Sequence, residues 1–232
     1  MKLKIVILSC ILSIQMIYGA TNKHEIPTFI SSSWLKQHYN DKRLVIIDVR
    51  KEELYNKGHL EHAVNLPTFK KLFDSKLFMP KINILKQTFS DAGINSNSLV
   101  AIYDNGDFIW AARCYWLLDV LGHTNVGLLR DSFLSLKNQN FKITTKPFIP
   151  KPKEFIPMVD NSIIETKLST MLAINKKVII DGRPKEYYDG YKSVAKRSGH
   201  IKSALNYPGS GNSRKTVSGN HILKIGQLKK TI

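Results

Sequence analysis

Short runs of unbroken apolar residues alternate along this chain with segments whose apolar positions recur every three or four residues. Leu44 to Asp48 (Leu-Val-Ile-Ile-Asp), Ala63 to Leu66, Leu99 to Tyr103 (Leu-Val-Ala-Ile-Tyr) and Val126 to Leu129 read as strands buried on both faces. The intervening pattern predicts helices: from a Ser31 to Ser33 N-cap through Tyr39, with Trp34 and Leu35 inward and Lys36 outward, and one or two turns over Lys51 to Lys57. Longer helices are expected from about Pro80 to Ala92, with Ile82, Leu85 and Phe89 on one face and Gly93 ending it, and from about Phe108 to Leu121, closed by Gly122. A last helix begins at Phe133. Strands separated by helices predict an α/β domain built on an open parallel sheet flanked by helices.

Proline sets the next boundary. Lys146 to Pro157 holds four prolines, which suit neither a helix interior nor a central strand, so residues 146–158 read as an extended linker after a first domain at 28–145. The pattern then restarts over 159–232, with a helix from about Ser162 to Ile174, a strand from Val178 to Asp181 and a flexible turn at Gly209-Ser210-Gly211. At the other end, Lys2 and Lys4, an apolar run from Ile5 to Ile17 and the small pair Gly19-Ala20 make residues 1–20 a signal peptide, which implies a secreted or periplasmic protein with no membrane association once the peptide is removed. The run is shorter than the ~20 residues needed to cross a bilayer. Removal of the peptide would leave Cys114 as the one cysteine, so stability must come from packing and not from a disulfide.

The restart is an internal repeat. Ile47-Asp48-Val49-Arg50 matches Ile180-Asp181-Gly182-Arg183, and the stretches from Gly58 to Pro67 and from Gly199 to Pro208 share the pattern G-H-[LI]-x-x-A-[VL]-N-x-P. The second copy carries eight extra residues, around Gly190 to Arg197. In each copy the Asp-x-Arg at a strand end can pair and tie the loop that follows, and the His can bridge backbone groups across its turn. Neither copy offers companion ligands at metal spacing, so no metal or other cofactor is expected.

The turn after the Leu99 strand opens onto a helix N-terminus, the usual seat of a ligand or nucleophile in an α/β domain. Here it holds Asp104 and Asp107, which can satisfy the helix's free N–H groups but are poor nucleophiles toward sulfur. Cys114 falls inside the following helix and reads as a core residue. The net charge of +17, with no Asp or Glu after Asp189, reads as a basic solvated surface. Aromatic residues are not interleaved with these charges, so no nucleic acid partner is expected.

The paired motifs resemble the tandem rhodanese family of thiosulfate and 3-mercaptopyruvate sulfurtransferases, from about residue 28 onward. Tyr103-Asp104, Ala111-Ala112-Arg113, Tyr115 to Leu118 and Leu121-Gly122-His123 are similar to the family's first domain, in which an aspartate commonly stands at the nucleophile position. The resemblance implies a structural first domain and a second domain whose loop cysteine takes a sulfane sulfur from a small anionic donor and passes it to cyanide or a thiol. It also implies substrate contacts by Arg197, which faces the donor anion in the family pattern, and by Arg183, whose more local role is to pair with Asp181. Asp104 lies 37 residues after Pro67, and the same offset from Pro208 passes residue 232. The expectation is therefore one complete rhodanese-like domain plus a truncated second copy, inactive as given, with no catalytic residue. The alternative is a non-catalytic binding module for a protein or small anion; a protein partner is not identifiable from these residues.

Overall fold

The computed structural model describes residues 25–216 and 219–222. The signal-peptide reading of residues 1–20 lies outside them. Five parallel strands form the central sheet: β1 (Phe29–Ile30), β2 (Leu44–Asp48), β4 (Ala63–Asn65), β5 (Leu99–Tyr103) and β6 (Val126–Leu129), in the order β1-β6-β5-β2-β4. Because successive side chains point to opposite faces, Val45, Ile47, Val100 and Ile102 enter one core while Ile46, Ala101 and Tyr103 enter the other. The first core is covered by α4 (Ile82–Asp91) through Leu85 and Phe89, and by α5 (Ile109–Val120) through Ala111, Cys114, Leu117 and Leu118. The second is covered by α1 (Ser32–His38) through Leu35, α2 (Glu52–Asn56) through Tyr55, and α6 (Phe133–Asn138) through Leu136. The four predicted strands and the α/β layering are thus present, with Ser31 capping α1 through the Trp34 N–H. A short α3 (Thr68–Lys71) and the antiparallel pair β3 (His59–Leu60) with β7 (Ile143–Thr144) lay below the sequence signal, as did the two-residue β1.

Two expectations need correction. Ile82 opens α4 at its solvent end and is exposed, so the buried stripe of that helix is Leu85 and Phe89. The proline-rich segment 146–158 is extended, as expected, and it lies bound along the first unit as a strap. Phe155 is buried against Phe89 (centroids 5.4 Å apart), the Phe155 and Lys153 N–H groups donate to Ser90, and the Met158 N–H donates to the Leu121 carbonyl at 2.8 Å. The strap passes so close to Gly122, which has φ +78°, that a Cβ there would collide with Met158. Prolines remove four of the segment's backbone N–H groups, and of those that remain Phe148, Lys153, Phe155 and Met158 donate to the first unit. The helix expected from Ser162 is instead a 3₁₀ turn at Asn161–Ile163 followed by α7 (Lys167–Ala173), which starts at a Thr166 and Ser169 capping box.

The second unit repeats the β2-β4 arrangement in small. β8 (Ile179–Asp181) pairs in parallel with β9 (Ala204–Asn206), and Ile180 faces Leu205 where Ile47 faces Val64 in the first unit. A short α8 (Lys185–Tyr188) stands where α2 does. Gly209–Asn212, where a turn was expected, is a 3₁₀ turn, and it leads into an antiparallel hairpin of β10 (Ser213–Thr216) and β11 (Gly219–Ile222).

Candidate functional site

The carboxyl ends of β2 and β5 open onto a cavity of about 470 Å³ lined by Arg50, Lys51, Thr68, Phe69, Lys70, Asp104, Asp107 and Trp110, among others. The sequence pointed to Asp104 and Asp107 here but missed Thr68, Phe69 and Trp110. Pro67, which ends β4 in the repeated pattern, places residues 68–70 at the same end of the sheet and was the available signal. Phe69 and Trp110 pack against each other in a tilted pair, with ring centroids 4.6 Å apart, and form an apolar wall.

Asp104 is almost fully buried at the floor. Its Oδ1 accepts from the Gly106 N–H at 2.7 Å and its Oδ2 from the Ala111 N–H at 3.3 Å, so the carboxylate caps the first turn of α5. Burial, with a further push from the neighbouring Asp107 carboxyl, raises its pKa to about 7. The seat where a thiolate could be activated is therefore filled by a carboxyl group already bonded to the loop. Cys114 is fully buried in α5, and burial pushes its thiol up to about 12.

One side of the cavity is held by a dense polar knot. Arg50 Nε donates to both Asp48 oxygens (2.9 and 3.0 Å), and its Nη2 donates to Asp48 Oδ2 (2.6 Å) and to the Gly58 carbonyl (2.8 Å). Tyr103 donates its hydroxyl proton to Asp48 Oδ2 at 2.6 Å and accepts from the Leu60 N–H, while burial first and Asp48 second hold its pKa far above the usual phenol value. His59 stacks on Tyr55 at 3.5 Å, with Nδ1 on the Tyr55 carbonyl and Nε2 on that of Lys146. Both nitrogens are occupied by backbone, and no group of three or more metal-binding side chains occurs among the described residues.

The second unit reproduces this knot almost bond for bond. Arg183 Nε reaches both Asp181 oxygens, its Nη2 donates to Asp181 Oδ2 and to the Gly199 carbonyl, and His200 stacks on Tyr188 at 3.7 Å. Asn206 bonds the carbonyls of Asp181 and Arg183 as Asn65 bonds those of Asp48 and Arg50. Arg183 and Arg197, the two candidate substrate contacts, line one cavity of about 540 Å³ together with Ser198 and His200. Asp104 is not among its lining residues. Arg183 is committed to Asp181, while Arg197 is exposed.

The order of the five strands and the position of the mouth decide the fold. Residues 31–139 match the family model of the rhodanese-like domain. Among curated relatives, a putative thiosulfate sulfurtransferase of Synechococcus elongatus is 27% identical over 213 residues, covering 87% of this chain and 66% of that protein. The thiosulfate sulfurtransferase of Rattus norvegicus is 27% identical over 124 residues, covering 50% of this chain and 42% of its own length. The 3-mercaptopyruvate sulfurtransferase of Escherichia coli is 24% identical over 222 residues, covering 88% and 75%. The chain thus spans less than two thirds of the first two relatives. Among solved structures, SseA from Escherichia coli superposes with a TM-score of 0.77 at 22% identity, covering 88% of this chain and 81% of that one. Tum1 from Saccharomyces cerevisiae superposes with a TM-score of 0.70 at 19% identity, covering 84% and 75%. At these identities the superpositions speak to the rhodanese fold, with its parallel sheet flanked by helices.

Proposed function

We propose that this is a sulfurtransferase-type protein for thiosulfate or 3-mercaptopyruvate chemistry, in which the rhodanese-like domain is structural and residues 159–232 repeat its motifs and offer Arg197, backed by Arg183, to a small anionic sulfur donor. Residues 1–232 by themselves do not form a persulfide. The observation that carries this reading is the floor of the first mouth, where a buried, loop-bonded Asp104 occupies the place a reactive thiolate would need. Support for the repeat comes from the matching Asp-x-Arg knots, and a leader at residues 1–20 with export to the periplasm or exterior remains part of the proposal.

Sulfur transfer needs a nucleophile that can hold the sulfane sulfur as a persulfide and release it to an acceptor. A carboxylate is a weak nucleophile toward sulfur, and a thiol held near pKa 12 inside a helix is neither ionised nor reachable at neutral pH. Purified 1–232 given thiosulfate and cyanide is expected to produce thiocyanate no faster than a protein-free control. Turnover above that control overturns the reading, and its loss in Cys114→Ser would place the chemistry at that thiol.

A second reading, a non-catalytic module that binds a protein or small anion, is favoured by the completeness of the first unit's two cores, strap included. A monodisperse protein that unfolds in one cooperative transition supports it; persistent aggregation, or rapid proteolysis confined to residues 159–232, counts against it.

A further inference from the structure

The loop by which the second unit departs from the first is its most exposed apolar feature. Tyr55 is joined to Gly58 by two residues, whereas the equivalent Tyr188 is joined to Gly199 by ten. This longer loop is tied together by its own bonds. The Lys192 N–H donates to the Glu186 carbonyl, the Ala195 N–H donates to Ser193 Oγ, and the Ser193 hydroxyl faces the carbonyls of Ala195 and Arg197. On it, Val194 is 96% exposed and Tyr191 85% exposed. Lys192 and Lys196 flank these side chains and Lys202 follows nearby in sequence; Lys192 also reaches Glu186 Oε1 at 3.4 Å, an exposed pair that a stronger anion can displace, and no Asp or Glu occurs after Asp189.

We propose that this loop, residues 190–198, is a contact for an anionic lipid surface, with Tyr191 and Val194 entering the headgroup region and Lys192 and Lys196 meeting lipid phosphates. The contact is peripheral; it shares its loop with Arg197 but does not use that side chain, and it differs from the absence of membrane association expected from sequence. Two signals, an apolar insertion and a basic patch, are what reversible membrane binding requires, and both are present within six residues of chain. A valine almost without neighbours sits on a projecting tip. Such a tip suits a broad soft surface better than it suits an extended peptide, which needs a groove or a sheet edge to lie along. Single-stranded nucleic acid would call for several stacking aromatics along the basic track, and this loop has one.

The test is co-sedimentation of the full chain with vesicles of phosphatidylcholine containing one third phosphatidylglycerol, using pure phosphatidylcholine vesicles to measure any contribution from the apolar run at residues 5–17. Lys192→Gln with Lys196→Gln is expected to weaken binding to the anionic vesicles about 25-fold, since each lysine near such a surface contributes about fivefold. Tyr191→Ser with Val194→Ser should weaken it on the order of tenfold. Lys81→Gln with Lys86→Gln, the same charge change on the first unit, should cost less than about threefold. Melting by circular dichroism should be unchanged in all three, because every position is exposed. The proposal is overturned by unchanged binding in the Tyr191 and Val194 variant, by equal losses in the two lysine variants, or by an oligothymidylate binding with the same loop dependence while vesicles do not.

Discussion

The turns at Asp48 to Arg50 and at Asp181 to Arg183 have almost the same hydrogen bonds and very different surroundings. In the first, the arginine and aspartate side chains are 3% and 0% exposed; in the second they are 47% and 11% exposed. Ile47 and Val64 lie in the core, while their counterparts Ile180 and Leu205 are 63% and 61% exposed. Positive φ recurs in step, at His62 and Ser203 (65° and 66°), so the backbone copies itself even where packing does not. The comparison separates two things that usually arrive together. A short motif can close its own turn through local bonds, but the energetic worth of those bonds is set by what excludes water from them.

That difference can be broken by removing one partner at a time. Arg50→Ala leaves a buried Asp48 carboxylate without its guanidinium and should cost about 3–5 kcal/mol in chemical denaturation of the full chain. Tyr103→Phe removes the hydroxyl that serves both Asp48 and the Leu60 N–H, and should cost about 1–3 kcal/mol by the same measurement. A loss below about 1 kcal/mol in either would mean that the buried knot is worth no more than the exposed one.

The mouth of the first unit sharpens the contrast by pH. Asp104 has a folded pKa of about 7 against an unfolded value near 3.8, so the folded state keeps its proton longer. Below about pH 4 both states are protonated and the group contributes nothing. Between 4 and 7 the unfolded state releases its proton first, so stability falls as pH rises, by at most about 4 kcal/mol when the window has been crossed. Asp104→Asn cannot ionise, and denaturation at pH 4, 6 and 8 should show the variant gaining on the natural protein as pH rises; parallel curves would refute the assignment. The smallest effect is expected in the second unit. Arg183→Ala breaks a pair that is half open to solvent and should change stability by less than about 1 kcal/mol, with the added salt dependence of an exposed pair.

Much of the fold was legible because buried parallel strands are written as continuous apolar runs: Leu44 to Asp48 and Leu99 to Tyr103 are strands with the bounds their sequence suggests. Asp-x-Arg and the Gly-His turn were equally legible, since their bonds join residues within a dozen or so positions. The two-residue β1, the β3 and β7 pair and the helix at Thr68–Lys71 were not, because pieces that short form only when a distant partner holds them. Phe69 and Trp110 escaped notice at the mouth for the same reason, since their ring contact joins residues some forty positions apart.

By itself, then, the amino-acid sequence determined the strand runs, the duplicated Asp-x-Arg turn and the presence of acids where the first sheet opens, all of which depend on local pattern and local bonding. Only the tertiary structure decided that the proline-rich segment is a strap with Phe155 in the core, that Asp104 is buried deeply enough to hold its proton near neutrality, and that one Asp-x-Arg pair is dry while its twin is wet. Burial is a property of everything packed around a residue, and no window of sequence contains its neighbours in space.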